Sequence, residues 1–164
     1  MNIAVKKGLI VAAIHVAMVG SLGAKLLIDR QTRPRVWART APFDPDSPLR
    51  GRYVRLRVEG EATGLDAAGA ASPVILAARG QSLAFEPAPE YAGLTATRTS
   101  RNGEQMATLD QPLAFFIPEH VPDPSIRAEG EELWVEVTLP KRGGPRPIRL
   151  ALKKDGVLTP LDLD

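Results

Sequence analysis

The stretch GRYVRLRV, residues 51–58, alternates polar and apolar side chains with a period of two residues. In an extended chain such alternation places the apolar side chains on one face and the polar ones on the other. The apolar face carries Val54, Leu56 and Val58, and the opposite face carries Tyr53, Arg55 and Arg57. The pattern predicts a half-buried β-strand.

Short runs of the same kind recur at regular spacing through the rest of the chain. They cover residues 73–78, 82–86, 94–99, 105–110, 113–117, 133–139 and 148–152, followed by Val157 and Leu158. Asn102-Gly103 and Asp155-Gly156 lie between such runs and favour tight hairpin turns, whose central residues need positive φ. Because no amphipathic helix separates the runs, we predict a mainly β fold, a small antiparallel β-barrel or sandwich. Its expected inward residues are Val54, Leu56, Val58, Leu133, Val135, Val137, Ile148 and Leu150.

The composition is that of one modest globular domain, with 164 residues of which 44% are hydrophobic. The chain has no cysteine. This excludes disulfides, a thiol nucleophile and cysteine-ligated metals. The 15 prolines and 14 glycines are scattered rather than periodic, as expected for many turns between short strands.

The charge is unevenly distributed along the chain. Residues 1–39 contain seven basic side chains and one acidic side chain, which leaves 14 basic against 18 acidic side chains in the remainder. A nucleic-acid-binding domain has a basic folded surface. The acidic remainder therefore argues against nucleic acid as a partner.

An apolar segment near the N-terminus indicates contact with a lipid bilayer. Residues 8–24, GLIVAAIHVAMVGSLGA, carry no formal charge, and the apolar run continues past Lys25 to Ile28. A helix over residues 8–28 would be about 31 Å long, the thickness of a bilayer core. We predict a single transmembrane signal anchor there. The alternative is a signal peptide cleaved near Val19 and Ser21.

The predicted organisation has four parts. Residues 1–7 form a short cytoplasmic tail, residues 8–28 the anchor, residues 29–50 an extended linker rich in proline, and residues 51–164 the β domain. Positive charge is greater after the anchor than before it. A short tail followed by an apolar segment nevertheless favours a cytoplasmic N-terminus, since large C-terminal domains are translocated largely regardless of charge. The β domain is then extracytoplasmic.

Two sequence blocks resemble the GDYXXLXY protein family. In the first block Gly51, Tyr53 and Leu56 match the family octapeptide, while Arg52 replaces its Asp and Val58 its second Tyr. The second block is Phe116-Ile117-Pro118-Glu119-His120. The resemblance implies a bacterial inner (plasma) membrane protein with a periplasmic domain, of unknown activity and encoded beside a multi-pass membrane protein. That neighbour is the partner we expect.

Two surfaces are candidate docking sites. The first is the outward face of the strand at residues 51–58, where Tyr53 and its neighbouring arginines suit recognition of carboxylates or phosphates. The second contains Phe115, Phe116 and the turn at Pro118-Glu119. The alternative for the first surface is an ordinary solvated strand face.

No constellation of residues points to catalysis. HExxH, P-loop and GxGxxG patterns are absent, and His120 is the only histidine outside the predicted anchor. Glu119, His120 and Asp123 could share a cation or form an exposed proline-flanked turn. We therefore predict a non-catalytic accessory or binding module with no metal, cofactor or small-molecule substrate. The alternative is a membrane-anchored hydrolase with an unrecognised site, either Ser/Lys, with Ser47 as the serine, or carboxylate.

Overall fold

The structure is a computed structural model that describes residues 2–41, 53–65, 69–88, 93–101 and 103–163. These residues form one helix and ten strands. The elements are α1 (Ile3–Thr32), β1 (Arg35–Ala41), β2 (Tyr53–Ala62), β3 (Ala71–Arg79), β4 (Ser82–Pro87), β5 (Thr95–Arg101), β6 (Glu104–Leu109), β7 (Leu113–Phe116), β8 (Glu132–Thr138), β9 (Arg146–Lys154) and β10 (Val157–Pro160).

The chain divides into two compact units, Met1–Arg33 and Pro34–Asp164. The first consists of α1, whose 30 residues give a length of about 45 Å. Among the described residues, α1 is the one helix long and apolar enough to cross a membrane. It contains the whole of the predicted anchor, residues 8–28, and extends beyond it at both ends.

The second unit is a closed six-stranded β-barrel with additional strands. The barrel order is β1-β4-β3-β5-β6-β2, and β2 returns to pair with β1. Every strand pairing in the described residues is antiparallel, except the short parallel ones that β4 makes with β1 and with β2. The predicted mainly β fold is confirmed, and closure of the ring makes it a barrel.

The other strands extend the barrel at two places. β8, β9 and β10 form an antiparallel meander that continues from β1. β7 pairs with the first half of β2 and ends the sheet. The β2–β7 register places Tyr53 opposite Phe116 and Arg55 opposite Ala114.

Alternation along the strands produces the core. Seven of the eight expected inward residues are buried: Val54, Leu56, Val58, Leu133, Val135, Val137 and Leu150. Ile148 is only half-buried, so its prediction is wrong. The cause is a β-bulge, because Glu136 pairs with Arg149 while Val137 pairs with Pro147, and Ile148 has no opposite residue.

Residues 29–50 were expected to form an extended linker, but residues 35–41 form β1. This strand belongs to the barrel, and Val36 and Ala38 are each only 1% exposed. The hydroxyl of Thr40 is also buried and donates a 2.8 Å hydrogen bond to the carbonyl oxygen of Leu133. The folded unit therefore begins before residue 51, and residues 42–50 lie outside the described residues.

β1 and β2 form three cross-strand pairs and separate beyond the last of them, Arg39–Glu59. Arg39 lies opposite Glu59, but the next outward residues diverge, and Trp37 pairs with Ser82 whereas Glu61 pairs with Ala84. The first half of β4 thus enters between the two strands. We call this place, where β4 enters beyond the Arg39–Glu59 pair, the fork.

The hairpins agree with the turn chemistry. Asp155 and Gly156 both have positive φ, 49° and 82°, and connect the paired residues Lys154 and Val157 as predicted. β5 and β6 form the other predicted hairpin. Asn102 of its turn lies outside the described residues.

Candidate functional site

The structure joins the two surfaces that were predicted separately. Tyr53 on β2 and Phe116 on β7 are cross-strand neighbours, with ring centroids 6.1 Å apart and planes inclined by 59°. The guanidinium carbon of Arg55 lies 5.8 Å from the centre of the Tyr53 ring. Both distances fall in the ranges for favourable aromatic and cation–π contacts. We call Tyr53, Arg55 and Phe116 the aromatic–arginine patch.

The patch is exposed and borders a shallow depression. Phe116 is 74% exposed although it lies within a strand, whereas Tyr53 and Arg55 are half-buried. The depression has a volume of about 460 Å³ and is completed by Pro112, Leu113 and Ala114. An apolar floor with one cationic group at its side can receive an apolar side chain and an adjacent carboxylate.

The remaining predicted residues have different positions. Leu56 is a core residue, 1% exposed, and is not available for docking. Arg57 is exposed further along β2, where it lies opposite Ala41 of β1. Pro118 and Glu119 are exposed beyond the end of β7. Gly51 lies outside the described residues.

The candidate catalytic residues are not assembled into a site. Asp123 accepts a 2.8 Å hydrogen bond from the backbone N–H of Ser125, as in a local turn, and His120 is exposed. Within the ranges that the structure describes, no three histidine or acidic side chains lie close enough to hold a metal ion. Ser47, the candidate serine, lies outside the described residues.

A second surface, which the sequence interpretation missed, lies above the fork. It is a groove of about 800 Å³ whose walls include both tryptophans of the chain, Trp37 of β1 and Trp134 of β8. We call it the tryptophan groove. A signal was present in the sequence for Trp134, which occupies an outward position of the alternating run at residues 133–139, where polar side chains are usual. Trp37 lies in the segment predicted as a linker and gave no such signal.

Charged side chains surround the two indole rings. The ammonium nitrogen of Lys153 lies 4.7 Å from the centre of the Trp134 ring, and the guanidinium carbon of Arg149 lies 5.4 Å from that of Trp37. The indole N–H of Trp134 donates a 3.1 Å hydrogen bond to Glu132. The groove therefore combines flat apolar rings with hydrogen-bonding groups.

A scan of the chain against family models, curated proteins and solved structures finds no match. The resemblance to the GDYXXLXY family consequently stays a prediction based on the two sequence blocks.

Proposed function

We propose that this protein is a membrane-anchored, non-catalytic accessory module whose β domain binds a multi-pass membrane protein through the aromatic–arginine patch. The observation that carries the proposal is the 74% exposure of Phe116 beside a half-buried tyrosine and an arginine. Burying a phenylalanine side chain contributes about 1.5–3 kcal/mol. Tyrosine and arginine are enriched among the residues that dominate binding energies at protein interfaces.

The chemistry of the patch defines the partner surface. The Arg55 guanidinium, already oriented over the Tyr53 ring, suits a bidentate carboxylate. The adjoining depression is lined by the apolar residues Pro112, Leu113 and Ala114. We therefore expect the partner to present an acidic residue next to an apolar one.

The anchor supports the choice of a partner within the membrane. In the proposal α1 crosses the bacterial inner membrane with Lys6 and Lys7 on the cytoplasmic side, and the β domain is periplasmic. Confining two proteins to one membrane raises the effective concentration of each for the other. A patch as small as this one can then give a stable complex with a membrane-embedded partner.

Site-specific photo-crosslinking in intact membranes tests the proposal. A photoreactive phenylalanine analogue is placed at Phe116, and in a control chain at Ile126, an apolar side chain that is 83% exposed and outside the patch. We expect an adduct with a multi-pass membrane protein from position 116 only. Arg55→Glu should abolish that adduct without lowering the melting temperature.

Three results would contradict the proposal. The first is the same set of adducts from positions 116 and 126, which would indicate random collision. The second is the absence of any adduct from position 116. The third is an adduct that survives Arg55→Glu, because reversal of a charge at a contact with a carboxylate costs several kcal/mol of binding free energy.

A further inference from the structure

We propose that the tryptophan groove binds a neutral oligosaccharide. This site is separate from the aromatic–arginine patch and does not depend on the proposed function. The geometry, the charge balance and the hydrogen-bonding groups of the groove each narrow the class of ligand.

The geometry favours an extended ligand of small-molecule size. The groove volume of about 800 Å³ lies within the range of about 300–1,000 Å³ typical of ligand sites. Its walls come from several strands that meet at the fork, so its shape is fixed by the barrel. Gly60 lets β2 and β4 approach closely at the wall of the groove, because a side chain at this position would collide with the β4 backbone at Leu83.

The charge balance disfavours a strongly ionic ligand. The described lining contains the acidic residues Glu59, Glu61, Glu104 and Glu132 and the basic residues Arg39, Arg79 and Lys153. Most of these charges are already compensated within the protein. Arg39 forms an ion pair with Glu132 and lies 3.8 Å from Glu59, while Arg79 lies 3.1 Å from Glu61. A phosphate-rich ligand would meet excess carboxylate, and a polyamine would meet competing guanidinium groups.

The hydrogen-bonding side chains that line the groove suit a ligand with many hydroxyl groups. Carboxylates accept hydrogen bonds and guanidinium groups donate them, and a sugar hydroxyl does both. The Oε2 atom of Glu59 is buried beside Arg39 at 3.8 Å and Arg101 at 3.7 Å, so it is closed to a ligand. The acceptors that a ligand can reach are the exposed carboxylates of Glu61 and Glu104 in the groove lining.

Pyranose rings also have apolar C–H faces, which pack against aromatic surface. Trp37 and Trp134 are half-buried and offer such surface, although Arg149 and Lys153 each lie over one of the two rings. A neutral oligosaccharide offers both features along its length.

The two tryptophans provide the readout. They are the only two in the chain, so the intrinsic indole emission reports on the groove alone. The full-length chain is titrated in a detergent without a sugar headgroup. The two probes are cellotetraose and tetra-N-acetylchitotetraose, both neutral, which carry a hydroxyl and an acetamido group respectively at C2 of each ring. A saturable change with either probe supports the proposal, and the probe that binds more tightly shows whether the site prefers a hydroxyl or an acetamido group.

Variants separate groove binding from other effects. Trp134→Ala should weaken binding at least about tenfold, read from Trp37, while Trp134→Phe should retain most of the affinity because a ring remains. Glu132→Gln should also weaken binding. Phe116→Ser, in the aromatic–arginine patch, should leave saccharide binding unchanged, so failure here and failure of the proposed function are distinguishable.

The proposal is overturned by any of three results. One is no saturable emission change with either probe at concentrations up to about 10 mM. Another is equal affinity of the wild type and of a Trp134→Ala chain that unfolds at the same temperature. The last is saturable binding of spermidine or inorganic phosphate, but of neither saccharide.

Discussion

Gly60 is a residue whose lack of a side chain is required by the barrel. A Cβ atom at this position would lie 2.7 Å from the carbonyl oxygen of Leu83 and 2.9 Å from the ring of Phe85. The carbonyl belongs to a paired strand and cannot move without disturbing the fork. Gly60→Ala should therefore lower the free energy of unfolding by about 1–3 kcal/mol, measured by denaturant titration.

Gly144→Ala is the matched control for this prediction. A Cβ atom there would lie 3.9 Å from Leu94, an ordinary contact, and we expect a change within about 0.5 kcal/mol. Equal effects of the two substitutions would show that the close approach at the fork is not what requires glycine at position 60.

Alternation in the sequence predicts which side chains face outward, but it does not predict which of these side chains are in contact with one another. Tyr53 and Arg55 follow from the period of two residues within one strand. Their contact with Phe116 depends on the β2–β7 register, which joins segments far apart in the chain. Register is set by cross-strand packing and turn geometry. The two candidate surfaces could therefore not be combined before the pairing was known.

Among the strands, β1 departs most from the sequence prediction, which placed its residues in an extended linker. Its inward positions are Val36, Ala38 and Thr40, of which only the first is a large apolar residue. Such a strand gives a weak alternation signal, and the prolines around it favour an irregular segment. The hairpins, in contrast, were predictable because their turn residues and alternating flanks are local in sequence.

Truncation tests whether β1 is part of the barrel. A chain that starts at residue 34 should give a β-type circular dichroism spectrum and one cooperative unfolding transition. A chain that starts at residue 51 loses β1, which is the link between β8 and the barrel, and should be unfolded or aggregated. Cooperative unfolding of the shorter chain at the same temperature would show that β1 is dispensable.

On the scale of the whole molecule, the topology proposed for the chain is testable with fusions. Alkaline phosphatase is active only outside the cytoplasm, so its fusion after residue 164 should be active and remain with the membrane fraction. Removing residues 8–28 should abolish that activity, because these residues supply the apolar part of α1. An inactive full-length fusion, or a mature protein that starts after Ser21, would contradict the proposed anchor.

The position of β1 also determines the order in which the barrel can assemble. The second half of β1 can pair with β2 as soon as that strand is synthesised, whereas the first half pairs with β8. The hydrogen bond from Thr40 to Leu133 spans 93 residues of sequence. Contacts of such separation form slowly. A nascent chain that emerges N-terminus first therefore carries an unpaired strand edge until β8 (Glu132–Thr138) has been made, and only then does β1 complete its pairing.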